Sequence, residues 1–452
     1  MSLVLILLAV VGFIVVATSR FKIHPFLTLI LAAFIAAFAY GLPADQIAKT
    51  ITGGFGGILG YIGLVIVLGT IIGVILEKSG AAITMADTVV KLLGKRFPTL
   101  TMSIIGYIVS IPVFCDSGFV ILNSLKQSMA KRMAVSSVAM SVALATGLFA
   151  THTFVPPTPG PIAAAGNLAL EDSLGLVILM GLVVSAVAAL AGVLWANRFR
   201  AVEIAGDEPQ TPEEVETQWR TMKASYGTLP TAGQAFAPIF VPILLICLGS
   251  IARFPTGPMG AGVVFETFSF LGQPLNALLI GLFLSLPLLK PGDRIAQFNE
   301  HIGKGIAAAA PILLITGAGG AFGAVLKATP IGEYLGTTLS ALGVGIFMPF
   351  IVAAALKSAQ GSSTVALVTT SAMVAPMLGD LGLATEMGRV LTVMAIGAGA
   401  MTVSHANDSF FWVVSQFSRM PVALAYRAHT AATLVQGITA IVLVYLLSLV
   451  LL

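Results

Sequence analysis

Four titratable residues stand in short polar stretches of an otherwise apolar chain: Asp116, His152, His405 and Asp408. Each has small or hydroxyl-bearing neighbours. Asp116 precedes Ser117 and Gly118. His152 lies between Thr151 and Thr153, with Thr158 close behind, and His405 leads to Asn407, Asp408 and Ser409. A further stretch, Gly361-Ser362-Ser363-Thr364, places hydroxyls directly after a glycine. A carboxylate can take up and release a proton. An imidazole does so near neutral pH and can donate to an anion. Hydroxyls and free backbone amides bind carboxylates, the amides best at a helix N-terminus, where the dipole favours negative charge. These types suit a site for a small anion, with a proton or a sodium ion moving beside it.

Plainer uses stand beside this one. Asp116 is a proton-coupling group or a helix-capping aspartate. For Asp408, proton coupling and capping are equally open, because Asn407, Asp408 and Ser409 all accept from free backbone N–H groups. His152 and His405 are substrate donors, proton relays, or core histidines bonded to backbone. Lys357 either pairs with a substrate carboxylate or snorkels to the membrane surface. No metal site is expected, since Cys115 and Cys247 lack ligand spacing and no third ligand accompanies the histidines. The same titratable groups would also serve a membrane-embedded enzyme. No nucleophile motif, metal motif or soluble catalytic domain supports that use. No Walker-type loop is present for a nucleotide-driven pump, and no repeated filter motif for a channel.

The elements that position these residues must be membrane helices. The chain has 452 residues, 57% hydrophobic and 9% charged, where a soluble protein has about 25% charged. Mean hydropathy is +1.01. Continuous apolar runs argue for helices over an alternating barrel. Residues 1–17 read as a first transmembrane helix, because Arg20 and Lys22 follow the apolar run where a signal peptide has them in front. The net charge of +4 comes from loop lysines and arginines and reports membrane orientation; no nucleic-acid partner is indicated. The glycine run Gly53-Gly54-Phe55-Gly56-Gly57 lacks a phosphate loop's lysine and hydroxyl. It reads as a site of close helix packing ahead of a helix reaching Leu76.

Residues 1–52 form N-terminal transmembrane helices, and 53–197 a first repeat. Within it, basic residues flank 99–126 on both sides (Lys91, Lys95 and Arg96; Lys126, Lys131 and Arg132), so that stretch enters and returns as a re-entrant hairpin with its tip near 112–118. A helix at about 133–165 breaks at Pro156-Pro157-Thr158-Pro159-Gly160-Pro161, where prolines remove donors and clash with the preceding turn. In lipid such a break needs protein or a polar cavity around it. Residues 198–234 are an acid-rich cytoplasmic linker, 235–304 scaffold helices, and 305–452 a second repeat with a hairpin at about 343–377 and a broken helix at about 387–417. Gly73 and Gly323, and Gly147 and Gly397, recur at one spacing, with His152 and His405 close to it. Opposite expected directions make the repeats inverted, a plan of secondary transporters with the site near the midplane. Both termini lie outside.

The stretches Phe114-Cys115-Asp116-Ser117-Gly118-Phe119, Thr151-His152-Thr153-Phe154-Val155-Pro156-Pro157-Thr158-Pro159-Gly160-Pro161, and Ser404-His405-Ala406-Asn407-Asp408-Ser409 with Phe411-Trp412 resemble the gluconate permease family. The resemblance spans nearly the whole chain. It implies proton-coupled uptake of gluconate or a related sugar acid, or of D-serine, across a bacterial inner membrane by an elevator-type homodimer. No cofactor is implied beyond the co-transported proton. Sodium coupling, export and exchange stay open. The family often has Glu where Asp116 stands and His where Thr158 stands, so a different small carboxylate also stays open.

Overall fold

Pro98 opens the first element that matters for the site. At the first helical position its missing N–H costs nothing, and the helix Pro98–Val109 follows. The computed structural model describes residues 2–93, 97–133, 135–202, 204, 212–253, 259–329, 345–406 and 408–452. Among the described residues all regular structure is helical. Five helices among the described residues are long and apolar enough to cross a membrane, or up to seven if two bent pairs count as single spans. Their outer faces carry large exposed apolar side chains, among them Leu194, Phe283 and Leu449.

In the first half, Pro98–Val109 turns at 110–114 into the helix Cys115–Arg132. The Ser110 hydroxyl braces this turn by donating to the Val113 carbonyl at 3.0 Å. The expected tip at 112–118 is therefore shorter, because Asp116, Ser117 and Gly118 are already helical. Next, Ser136 accepts from the Val138 N–H and caps the helix Ser137–Phe154. The chain leaves the helix at 155–158, passing through a cis Pro156-Pro157 bond, and resumes as Pro159–Asn167. The most apolar stretch of Ser137–Asn167 is wholly buried, so protein surrounds the break.

The second half repeats this order. Phe347–Gln360 ends at Gly361, whose φ of 91° is the left-handed conformation that favours glycine at a helix C-terminus. Ser362 then caps Ser363–Val374 by accepting from the Val365 N–H at 3.2 Å. Glu386–Met401 and Ser409–Phe417 form a second broken helix around 402–408. The hairpin expected at about 343–377 begins in 330–344, which lie outside the described residues.

Small residues bring these helices together. A Cβ on Gly147 would lie 2.0 Å from the Ser103 carbonyl oxygen, and one on Gly399 would lie 2.3 Å from that of Phe350. Each crossing joins a broken helix to the first helix of its own turn unit. Gly397 meets the Thr153 carbonyl, so the broken helices also touch each other. Asn167 ties the first break to the second hairpin-like unit, donating to the Val368 carbonyl at 3.1 Å and the Ser371 hydroxyl at 2.9 Å.

The long helices Ala44–Lys78 and Arg294–Lys327 pack against each other, with Gly54 against Gly320 and Ala324. The glycine run expected ahead of a helix lies inside this one, which bends by 47° between Ala44–Gly60 and Ile62–Lys78. Close packing accounts for Gly54 alone, because a Cβ on Gly53, Gly56 or Gly57 would meet nothing within 4 Å. Within the scaffold expected at 235–304, the helix Val263–Leu271 is turned 71° from the segment that follows. The linker holds the helix Pro212–Ser225, and Lys223 pairs with Asp87 on Ala81–Leu93.

Candidate functional site

A cavity of about 290 Å³ lies where both halves meet. Its wall takes Phe114, Cys115 and Asp116 from the first turn unit, and Phe149 and His152 from the first broken helix. Gln360, Gly361, Ser362, Ser363 and Thr364 come from the second turn unit, and Asp408, Ser409 and Phe410 from the second broken helix. The volume is at the small end of ligand pockets, roughly 300–1,000 Å³. Polar groups converge on it from helix ends, and aromatic rings supply the apolar faces.

The helix breaks decide which polar groups are available. Asp116 is the second residue of Cys115–Arg132, where the helix dipole favours a negative charge. It is not the capping residue, which is Phe114. Its Oδ2 accepts from the Ser409 hydroxyl at 3.3 Å, while Oδ1 is buried without a partner among the described residues. Asp408 does cap its helix: Oδ1 accepts from the Phe410 N–H at 3.1 Å. Its Oδ2 meets Lys357 Nζ at 2.5 Å and accepts from the Ser404 hydroxyl at 2.5 Å. Capping and charge pairing are thus one arrangement at Asp408. Lys357 does not snorkel. It is 0% exposed and also donates to the Gly361 carbonyl at 2.5 Å, with the Phe149 ring centroid 5.7 Å away. Removing one partner of such a buried pair costs about 3–5 kcal/mol.

His152 lines the cavity between Phe114, at 6.0 Å between ring centroids, and Phe149, stacked at 6.5 Å and 14°. Its Nδ1 is buried without a partner among the described residues. The second tip is held rigidly. Gln360 donates to the Ser362 carbonyl at 2.7 Å and accepts the Ser362 N–H at 3.1 Å. This leaves Ser363 and Thr364 on the cavity wall at a helix N-terminus, which suits an anion.

Of the residues singled out in the sequence, Asp116, His152, Gly361, Ser362, Ser363, Thr364, Asp408 and Ser409 meet at this cavity. Ser117 and Gly118 do not line it; Gly118 packs on Leu148. Thr151 donates to the Tyr107 carbonyl at 2.9 Å, Thr153 to Phe149 at 3.1 Å, and Thr158 to Val155 at 2.6 Å. These hydroxyls serve the backbone of the first broken helix and its neighbour. His405 turns to the Ser358 carbonyl at 2.9 Å and does not line the cavity. Asn407 lies outside the described residues. Phe149, Gln360 and Phe410 were not expected on the wall. Nor was the inner contact of His429, whose Nε2 lies 3.2 Å from the Ser404 hydroxyl. Because the Thr153 hydroxyl is spent on its own helix, Thr153→Val should leave the transport KM within about twofold of the parent. A larger rise in an uptake titration would put that hydroxyl on the ligand.

The chain matches the model of the GntP family permeases over residues 1–450. It is 34% identical to a gluconate permease of Pseudomonas aeruginosa, over 98% of this chain and 97% of that protein. It is 33% identical to the D-serine transporter DsdX of Escherichia coli K12, over 99% and 96%. Among solved structures it is similar to MtrF of Neisseria gonorrhoeae, described within a class of antimetabolite efflux pumps. That likeness has a TM-score of 0.67 at 15% identity, covers 95% of this chain and 96% of the other, and concerns the fold.

Proposed function

As the chain belongs to the GntP permease family, a family of membrane transporters and not enzymes, we propose that it is a proton-coupled symporter for gluconate or a related small hydroxylated carboxylate. It brings the anion into the cell across a bacterial cytoplasmic membrane and uses no cofactor beyond the proton. The observation that carries this reading is the cavity between the helix breaks. It combines a helix N-terminus with hydroxyls at 362–364, an imidazole at His152, and two carboxylates at Asp116 and Asp408. Tip hydroxyls and amides receive the substrate carboxylate and polyol. Each cavity carboxylate facing an anion must be neutral when the anion binds, so each carries a proton inward with it.

The architecture we propose is a pair of inverted repeats working as an elevator, in a homodimer. Supporting it are the repeated order of turn unit and broken helix, and the paired glycine crossings at Gly147 and Gly399. A second reading takes D-serine as substrate. The partnerless Asp116 Oδ1 favours it, because an ammonium group would satisfy that oxygen.

The test is uptake into proteoliposomes under an imposed pH gradient, with gluconate, glycerate, lactate and D-serine offered separately. Proton-driven accumulation of at least one of them is expected, and the preference between gluconate and D-serine separates the two readings. Accumulation that follows sodium and ignores the pH gradient would overturn proton coupling. Failure to take up any of the four would overturn the substrate class.

A further inference from the structure

We propose that Lys357 is the counter-ion of the substrate carboxylate, and that protonation of Asp408 releases it for that task. The inference rests on the symport reading above and deepens it, making the proton a condition of binding at this site.

Among the described residues, the hydrogen-bond and ring partners of Lys357 all belong to the cavity wall. Its Nζ donates to Asp408 Oδ2 and to the Gly361 carbonyl, both at 2.5 Å, and faces the Phe149 ring. Asp408, Gly361 and Phe149 all line the cavity. An ammonium has three donors, and one of Lys357's is held by the carboxylate that an incoming anion would have to replace. An anion cannot take Lys357 while Asp408 is ionised, because the exchange would strand a buried carboxylate beside a second negative charge.

Protonation removes that obstacle, and the surroundings of Asp408 accommodate it. The Phe410 N–H stays on Oδ1. The Ser404 hydroxyl, a donor to the ionised carboxylate, has lone pairs to accept from the protonated one. Ser404 is held in place independently of its hydroxyl, since its N–H donates to Thr433 at 2.9 Å and its carbonyl accepts from Thr430 at 2.5 Å. The proton therefore has a partner at Ser404 when Lys357 leaves. Among the described residues, the other titratable groups around Asp408 are His429, reached through Ser404; Asp116, reached through Ser409; and His152 and Cys115 across the cavity. With both carboxylates ionised and one lysine, the cavity is net negative and rejects an anion. With Asp408 protonated, the lysine charge is available to it.

The experiment is equilibrium binding of gluconate, and separately D-serine, to the purified full-length protein between pH 5 and 8. It compares the parent, Asp408→Asn, and the double variant Lys357→Met with Asp408→Asn. The parent should bind more weakly as pH rises. Asp408→Asn should lose one proton's share of that dependence, about tenfold per pH unit. The double variant keeps the shape of the pair without its charges. It should elute as a monodisperse species and bind at least about a hundredfold more weakly at pH 5. Parent-like affinity in the folded double variant, or an unchanged pH slope in Asp408→Asn, would overturn the exchange and leave the transporter reading standing. Binding of neither compound by the parent at any pH would overturn the substrate reading and the exchange with it.

Discussion

Asp116→Asn is expected to abolish uptake driven by membrane potential while leaving substrate exchange intact. If both cavity carboxylates carry a proton with a monoanion, each turnover moves one positive charge inward, and an inside-negative potential drives it. Fixing one carboxylate in a neutral form removes that charge. Asparagine has the shape of aspartate and can keep the contact with the Ser409 hydroxyl at 3.3 Å. No ion pair holds Asp116 in the described structure, and its Oδ1 has no partner to lose. The variant should therefore fold as the parent does. One pH unit is worth about 1.4 kcal/mol per proton, a factor of ten in accumulation. Steady-state accumulation under a gradient of one unit should thus fall about tenfold in the variant. Potential-clamped proteoliposomes give both readouts, and counterflow gives the third. Potential-driven uptake equal to the parent's would return Asp116 to a purely local role, that of an anion placed in the first turn of its helix.

The contrast between Asp116 and Asp408 also shows what a sequence reading reaches. Both were legible as costly carboxylates in polar breaks, and the breaks themselves were legible because proline and Gly-Ser-Ser-Thr runs cannot continue a helix. The all-α class followed from composition. The facing of hydroxyls did not. Ser137–Asn167 is buried all round in its most apolar stretch, so no amphipathic stripe marks which side meets the cavity. His152 meets the cavity and Thr151 does not, although the two are adjacent. For Lys357 the sequence leaves pairing with a substrate and snorkelling to the surface both open, because lysine near a helix end has the second habit. Its partner Asp408 lies in another element, and no local spacing reveals such a pairing. His429 was missed for the same reason, since its link to Ser404 comes from a separate π-helical stretch, Tyr426–Thr430.

Glycine packing shows the same limit and yields the second large effect. Gly147→Ala and Gly57→Ala add the same methyl group to helical positions, and the two are expected to shift stability in opposite directions. At Gly57 a Cβ would meet nothing within 4 Å, so alanine gains helix propensity of up to about 1 kcal/mol. At Gly147 a Cβ would lie 2.0 Å from the Ser103 carbonyl oxygen and 2.8 Å from its carbon. Those are backbone atoms of Pro98–Val109, so no side chain can swing aside and the two helices must separate. Overpacking of this kind costs about 1–3 kcal/mol or more. It also has a functional consequence, because this crossing joins the turn unit that places Asp116 on the cavity wall to the broken helix that places His152 there. A thermal melt in detergent should show Gly147→Ala well below the parent and Gly57→Ala at or above it, with transport lost in the first and kept in the second. Gly399→Ala, against the Phe350 carbonyl at 2.3 Å, should behave like Gly147→Ala. Equal melting of Gly147→Ala and the parent would show that the first crossing is loose. The cavity would then have to be held by the Lys357–Asp408 pair and the Gln360 clasp instead.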